Sequence, residues 1–518
     1  MEQQHVDVLV IGAGISGISA ACHVLRDAPG TSLVVLERRA RVGGTWDLFR
    51  YPGIRSDSDM STFGFGFRPW RDARILAGGA EIRQYVEDAA GDAGVLEHIR
   101  FGRRAIRANF SHATGRWEVE VEDEATGERE SYSAGYLVGA TGYYDYDRPY
   151  RPQFPGEADY QGTVVHPQHW PEDLDHSGKR VVVIGSGATA ITLLPAMAGE
   201  AAHVTMLQRS PTYILALPEI DPLTYVLQKL RAPAALTHRI ARARNIALQR
   251  GSYAFCRKYP RLARKALLGL VRARAGKSVE MRHFSPRYKP WDQRLCVVPG
   301  GDLFKVLKSG KASIATDHID TFTADGIRLK SGEELKADIV VTATGLSVRL
   351  LGGMELTVEG RPVDIANRVL YKAVLLEGVP NMSLVIGYTN ASWTLKADLA
   401  ADYTARLLAH MRRHGHDIAT PVASDGDRSE FSVMGEALTS GYIARADEVM
   451  PRQGTRDPWR LWNNYYRDRA MLRSAPIDDS ALRFEKADPS RADAAADSSR
   501  ADVAADARAD VEEPTRAA

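Results

Sequence analysis

At 518 residues the chain is long enough to bury several cores and to hold two or three domains. Hydrophobic residues make up 44% and charged residues 25%, ordinary values for a globular protein, and a formal net charge of +2 gives no global attraction to nucleic acid. The 3 cysteines, Cys22, Cys256 and Cys296, lie far apart with no C-x-x-C, which excludes a disulfide framework, a zinc site and a dithiol reductase; no metal is expected.

Residues 6–11 form a near-continuous apolar run, as in a parallel strand buried on both faces, and leave no room for a signal peptide before them. No apolar run approaches the roughly 18 residues of a membrane span, so a cytoplasmic location is expected. The glycine loop Gly12-Ala13-Gly14-Ile15-Ser16-Gly17 follows, then a helix over 18–25 and a second strand over 32–37 that ends in Glu37. In such a unit the glycines permit a tight turn and close approach of backbone to a pyrophosphate. The helix N-terminus adds N–H donors, and the acid bonds a ribose 2′-hydroxyl while repelling a 2′-phosphate. Gly12, Gly14, Gly17 and Glu37 are therefore expected to hold FAD, the usual dinucleotide of an N-terminal site with this acid.

The unit repeats as a strand over 180–184, the loop Gly185-Ser186-Gly187-Ala188-Thr189-Ala190, a helix through Met197 and a strand over 203–207. Ala190 replaces a third glycine, and Arg209 and Ser210 stand where the first unit has Glu37. A guanidinium and a hydroxyl there suit the 2′-phosphate of NADPH. Two further strands run into the same tripeptide, Ala140-Thr141-Gly142 and Ala343-Thr344-Gly345, which mark chain crossings between nested domains.

The expected fold is α/β, with two nested Rossmann-like dinucleotide-binding domains and a helical insertion. Residues 1–150 and 380–485 would form the FAD-binding domain, 151–217 and 291–379 the NADP-binding domain, and 218–290 the insertion. The tail 486–518 has too few large apolar residues to fold. Within the insertion, Leu227, Leu230, Ala234 and Leu236 predict one helix, and Leu262, Ala266, Leu267 and Leu270 another. A dense set of arginines runs from Arg231 to Arg274, including Arg239, Arg242, Arg244, Arg250, Arg257, Arg261, Arg264 and Arg272. Its plain reading is a solvated helical face. The sharper one is peripheral contact with a membrane surface, because leucines interleave with the charges. No recognition motif for nucleic acid accompanies it.

Gly43-Gly44-Thr45-Trp46, Tyr51-Pro52-Gly53 and Asp57 fit the pattern [AG]-G-x-W-x4-[FY]-P-[GM]-x3-D at every fixed position. Tyr160, Gly162, His166, Trp170 and Pro171 fit F-x-G-x3-H-x3-W-[PD], with Tyr for Phe. Together with the two glycine loops, these residues resemble the type I Baeyer–Villiger monooxygenases of the flavin-binding monooxygenase family. Pro290-Trp291-Asp292-Gln293-Arg294-Leu295-Cys296 and Gly387-Tyr388-Thr389-Asn390 resemble their ethionamide-activating subgroup.

The resemblance implies that NADPH reduces FAD and that O2 adds to the reduced flavin at C4a. The peroxyflavin then attacks a small hydrophobic ketone to give an ester or lactone, with thioethers or thioamides as side substrates. It implies that Arg294 stabilises anions, that Asp57 orients Arg294, and that Thr45 and Trp46 pack near the FAD. Gly162, His166, Trp170 and Pro171 would form the hinge between the domains and position without reacting. Gln293 departs from the lysine that many members carry before the arginine, leaving more of the 2′-phosphate contact to Arg209. Two rival readings stand beside this one: a dedicated S- or N-oxygenating flavin monooxygenase, and a low-turnover flavoprotein bound at a membrane surface.

Overall fold

In the computed structural model, which describes residues 3–276, 279–434 and 441–491, the opening apolar run becomes the strand Gln4–Ile11. It pairs in parallel with Leu33–Glu37 on one side and Arg129–Gly139 on the other, and Ile99–Phe101 continues the parallel order beyond Leu33–Glu37. Arg103–Ser111, Arg116–Asp123 and Arg129–Gly139 form an antiparallel meander within the same 11-stranded sheet. Side chains alternate across a strand. Val8 and Val10 accordingly pack in a core with the helices Ile15–Asp27 and Trp393–His414, while Leu9 and Ile11 pack in the core under the meander. Burial on both faces is why the strand reads as a near-continuous apolar run, interrupted by exposed Asp7.

The second sheet has 5 parallel strands in the order Ala312–Thr316, His203–Gln208, Arg180–Ile184, Ile339–Thr342, Thr163–Val165. Helix Ala188–Met197 packs on one face, and a small antiparallel sheet beginning at Ile319–Thr323 covers the other. The architecture is α/β, with two nested Rossmann-like units and a helical insertion. The outgoing and returning crossings bond to each other: Asp145 N–H donates to Ser347 O at 2.9 Å and Arg349 N–H to Tyr143 O at 3.0 Å. The return falls earlier than the expected residue 380. Glu355–Val358 already pairs with Arg103–Ser111, so the chain changes sheet between Thr342 and Glu355. The returning strands Arg361–Pro362, Leu370–Tyr371 and Leu375–Leu376 have 2 residues each, too short to carry a period-2 pattern.

Among its described residues the insertion contains three α-helices, Pro222–Lys229, Ala234–Lys258 and Pro260–Ala275. The single helix expected through Leu227 and Leu236 is broken: Arg231 takes φ +56° and Pro233 caps the next helix. Proline lacks an N–H and pushes the residue before it out of helical geometry. Ile214–Leu217 and Cys296–Pro299, which flank the insertion, pair in parallel, so it leaves and rejoins the body side by side. Several arginines of the basic set are internal fasteners, unlike a solvated face. Arg242 donates to the carbonyls of Ser61, Thr62 and Gly64 and lies 3.3 Å from Asp398, and Arg264 donates to Pro286 O. Arg244 pairs with buried Asp221, and Arg257, itself exposed, pairs with Asp292.

Among the described residues no helix is long and apolar enough to cross a membrane. Of the tail, Asp488 N–H donates to His112 O, and residues 492–518 lie outside the described residues.

Candidate active site

A cleft of about 950 Å³ lies between the two sheets, and both glycine loops open onto it. The loops are built alike against the two crossing tripeptides. Gly12 has φ +102°, and a Cβ there would come within 2.9 Å of Ala140 O; Gly185 has φ +144°, and a Cβ would come within 2.3 Å of Ala343 O. Only glycine fits either position. The middle glycines differ. A Cβ on Gly14 would meet Gly44 Cα at an ordinary 3.6 Å, and one on Gly187 would meet nothing within 4 Å. The protein itself does not require these two to be glycine, and both face the cleft. Gly17 acts by packing, since its Cβ would collide with Gly12 O at 1.8 Å. Ala190, its counterpart, is buried in the second core.

Glu37 ends the second strand and is buried on the cleft wall. Its carboxylate accepts from Ala13 N–H and Arg39 N–H, both at 2.8 Å. Burial pushes this carboxyl up, and the two N–H donors oppose the shift. Thr45 and Trp46 open the short helix Thr45–Leu48 and line the cleft, and the Thr45 hydroxyl lies 3.4 Å from the Tyr146 hydroxyl. Trp46 meets Phe63 edge-on with ring centroids 5.6 Å apart, so it is both a core aromatic and a wall of the cleft.

In the second unit, Arg209 and Ser210 follow the strand His203–Gln208, are exposed and line the cleft. Arg209 makes no ion pair among the described residues, whereas the arginines of the insertion named above are engaged. Gln293 also lines the cleft.

Arg294 and Asp57 meet on the cleft wall, with Nε to Oδ2 at 3.0 Å and a terminal guanidinium nitrogen to Oδ1 at 3.2 Å. The same nitrogen reaches Ser58 Oγ at 3.2 Å. One charge-assisted hydrogen bond and a second close ion-pair contact hold the guanidinium against the carboxylate. The turn that delivers Arg294 holds Trp291 at φ +69°, an outlier for a bulky side chain, with the indole packed edge-on against Tyr253. Cys296 lies beside it, and burial pushes its thiol up to about 12, as it does for Cys22. Both thiols are neutral at ordinary pH.

The residues expected to form a hinge are scattered. His166 lines the cleft, whereas Trp170 packs on the second core and Gly162 sits where a Cβ would strike Tyr160 and Asp338 O. Pro171 is half-buried at the start of the following turn and accepts from Leu174 N–H. His166 Nδ1 accepts from Gln168 N–H, and burial holds the imidazole down at about 4. Two anchors escape the sequence reading. The buried Gln168 side chain donates to Asp145 O and Tyr146 O, tying this segment to the outgoing crossing. Buried Asp47 gathers Arg39 and Arg41 beneath the first loop. Gln168 occupies an unspecified position inside the motif, and an acid after a tryptophan carries no pattern of its own.

Residues 6–222 match the model of the pyridine nucleotide-disulphide oxidoreductase family. The match covers the dinucleotide-binding elements; the three cysteines are buried and unpaired. The structure superposes on a solved steroid monooxygenase bound to NADP with a TM-score of 0.73 at 22% identity, covering 93% of this chain and 100% of that one, a likeness of fold. The putative FAD-containing monooxygenase MymA of Mycobacterium tuberculosis is 54% identical over 489 residues, covering 93% of this chain and 98% of that protein. The FAD-containing monooxygenase EthA of Mycolicibacterium smegmatis is 49% identical over 485 residues, with 93% and 98% covered. With identity at this level along nearly the whole length of both relatives, and two dinucleotide loops opening on one cleft, the chain belongs to the family of FAD-containing monooxygenases.

Proposed function

We propose that the protein is a Baeyer–Villiger monooxygenase: it binds FAD on the first loop and NADPH on the second, and inserts one oxygen atom of O2 beside the carbonyl of a small hydrophobic ketone. The observation that carries this reading is the Asp57–Arg294 pair, which faces the cleft shared by both loops.

The residues suit both cofactors. Gly14 and Gly187 leave the space a pyrophosphate needs beside a helix N-terminus. Glu37 offers a buried carboxylate to a ribose and would repel a 2′-phosphate, whereas Arg209 and Ser210 offer a cation and a hydroxyl to one. Bound FAD supplies oxygen activation and NADPH supplies the hydride. The chain's own part is to orient, to exclude water and to stabilise charge. Trp46 and Phe63 provide apolar wall. Arg294, held by Asp57, would offer a permanent positive charge to the negative charge that develops on the carbonyl oxygen under attack. His166 is neutral and a weak base at ordinary pH, which favours a positioning role.

The test is product analysis. Holoenzyme with NADPH, O2 and a panel of ketones and thioethers should yield esters or lactones in step with NADPH consumed. Sulfoxide from the thioethers with no ester from any ketone would instead assign the protein as a dedicated S-oxygenase.

A further inference from the structure

The charge of the chain is close to balanced, with 67 Lys and Arg against 65 Asp and Glu, yet it is distributed unevenly. Between positions 222 and 279 the sequence has fourteen Lys and Arg and no acidic residue. This stretch forms the three helices of the insertion, and each of the two longer ones has three faces instead of two.

On Ala234–Lys258, His238, Ala241 and Asn245 are buried against the body. Leu236, Ile240, Ala243, Ala247, Gly251 and Ala254 follow helical spacing and are all exposed. On Pro260–Ala275, Ala263, Leu267 and Val271 are buried, while Leu262, Ala266, Gly269, Leu270 and Ala273 form an exposed apolar stripe. Exposed cations flank each stripe on one side: Arg239 and Arg250 on the first helix, Arg261, Lys265 and Arg272 on the second. Arg239, Arg261 and Lys265 make no ion pair among the described residues, unlike the internal Arg242 and Arg244. The large side chains of the stripes are exposed, Leu262 at 56% and Leu270 at 55% on the second helix, Leu236 at 41% and Ile240 at 39% on the first. Exposed apolar stripes rimmed by cations mark a binding face.

We propose that this insertion is the face by which the protein rests on an anionic phospholipid surface, its apolar stripes entering the headgroup boundary and the flanking cations pairing with lipid phosphates. The pattern of apolar face, cationic flank and absent acids is that of helices lying in the plane of a bilayer interface. A second copy in a two-fold contact would set cations against cations with no acid to offset them. Nucleic acid would leave the leucines in water. The proposal concerns where the protein sits and does not rest on the reaction assigned to the cleft.

Vesicle flotation of the FAD-loaded protein tests it. The protein should float with phosphatidylcholine vesicles containing about a third phosphatidylglycerol, and far less with phosphatidylcholine alone. R239Q/R261Q/K265Q should weaken binding by about five-fold per charge, on the order of 100-fold together. L236S/L262S should weaken it by about ten-fold per leucine. Flavin content and melting temperature should be unchanged in both variants, since these side chains face solvent. The proposal is overturned if the wild type does not float with the anionic vesicles, or if both variants float as the wild type does. A concentration-dependent dimer dispersed by L236S/L262S, without vesicle binding, would assign the face to a second copy instead.

Discussion

Arg294 and Asp57 stand 237 positions apart in the chain, yet their side chains meet on the wall of one cleft, through an ion-pair contact of 3.0 Å and a hydrogen bond of 3.2 Å. Asp57 follows the first glycine unit, whereas Arg294 follows the insertion. The pair therefore forms only when both nested units are folded and docked. Positive charge is thereby placed between two dinucleotide loops, fixed in orientation before any ligand arrives.

The two kinds of loop glycine should separate by mutation. Gly12→Ala places a Cβ 2.9 Å from Ala140 O at φ +102°, so it should lower the melting temperature and the yield of folded protein. Gly14→Ala meets an ordinary 3.6 Å contact and should fold normally, but lose FAD by crowding its pyrophosphate. Visible flavin absorption and a melting curve decide, and full flavin occupancy in Gly14→Ala would remove the assignment of the first loop.

Arg209→Ala should raise the KM for NADPH and leave NADH use nearly unchanged. A charge-assisted contact is worth about 1.5–3 kcal/mol, roughly a ten- to hundred-fold loss. Steady-state kinetics with both reductants check this; equal losses would deny Arg209 the 2′-phosphate.

Removing Arg242 should loosen the insertion. Its guanidinium is mostly buried against Asp398 and three carbonyls, and breaking a buried pair by removing one partner costs about 3–5 kcal/mol. Arg242→Leu should show that loss in urea denaturation, while Arg239→Gln, which makes no ion pair among the described residues, should show almost none.

Stability should fall on acidification in part through His166. Burial holds the folded imidazole at about 4, against about 6.5 for an unfolded one. Between these values the unfolded chain binds a proton that the folded chain does not, so the contribution is complete above about 6.5 and is lost as pH falls toward 4. His238, also held at about 4 by burial, acts in the same direction. His166→Asn should flatten the dependence between about pH 7 and pH 5 in denaturation curves, and an unchanged slope would show that His166 does not contribute.

The parts of the molecule that follow local rules were legible in the sequence. The strand Arg180–Ile184 matches its apolar run residue for residue, and the helix Ala188–Met197 ends where expected. Both crossing tripeptides lie against their glycine loops, since a carbonyl from each occupies the space a Cβ would take. Less legible were features set by tertiary contact. The Asp57–Arg294 pairing came from resemblance to a family pattern, because no spacing rule links residues so far apart. Leu227, Leu230 and Ala234 keep one helical period across a break that Pro233 imposes. The early return to the first sheet at Glu355 runs through strands too short for periodicity. Arg242 and Arg239 look alike in a basic helix, and only the packed body distinguishes a fastener from a surface charge.

The most direct test of the proposed chemistry is ester formation by Arg294→Ala, measured as product from a ketone the wild type converts well. FAD should stay bound, and ester formation should fall by about a hundred- to thousand-fold, the usual loss on removing one stabiliser of a developing oxyanion. Asp57→Ala should lose less, because it orients the guanidinium without touching the substrate, and thioether oxygenation should survive better than ketone conversion in both variants. Ester formation at the wild-type rate in Arg294→Ala would contradict the account at its centre.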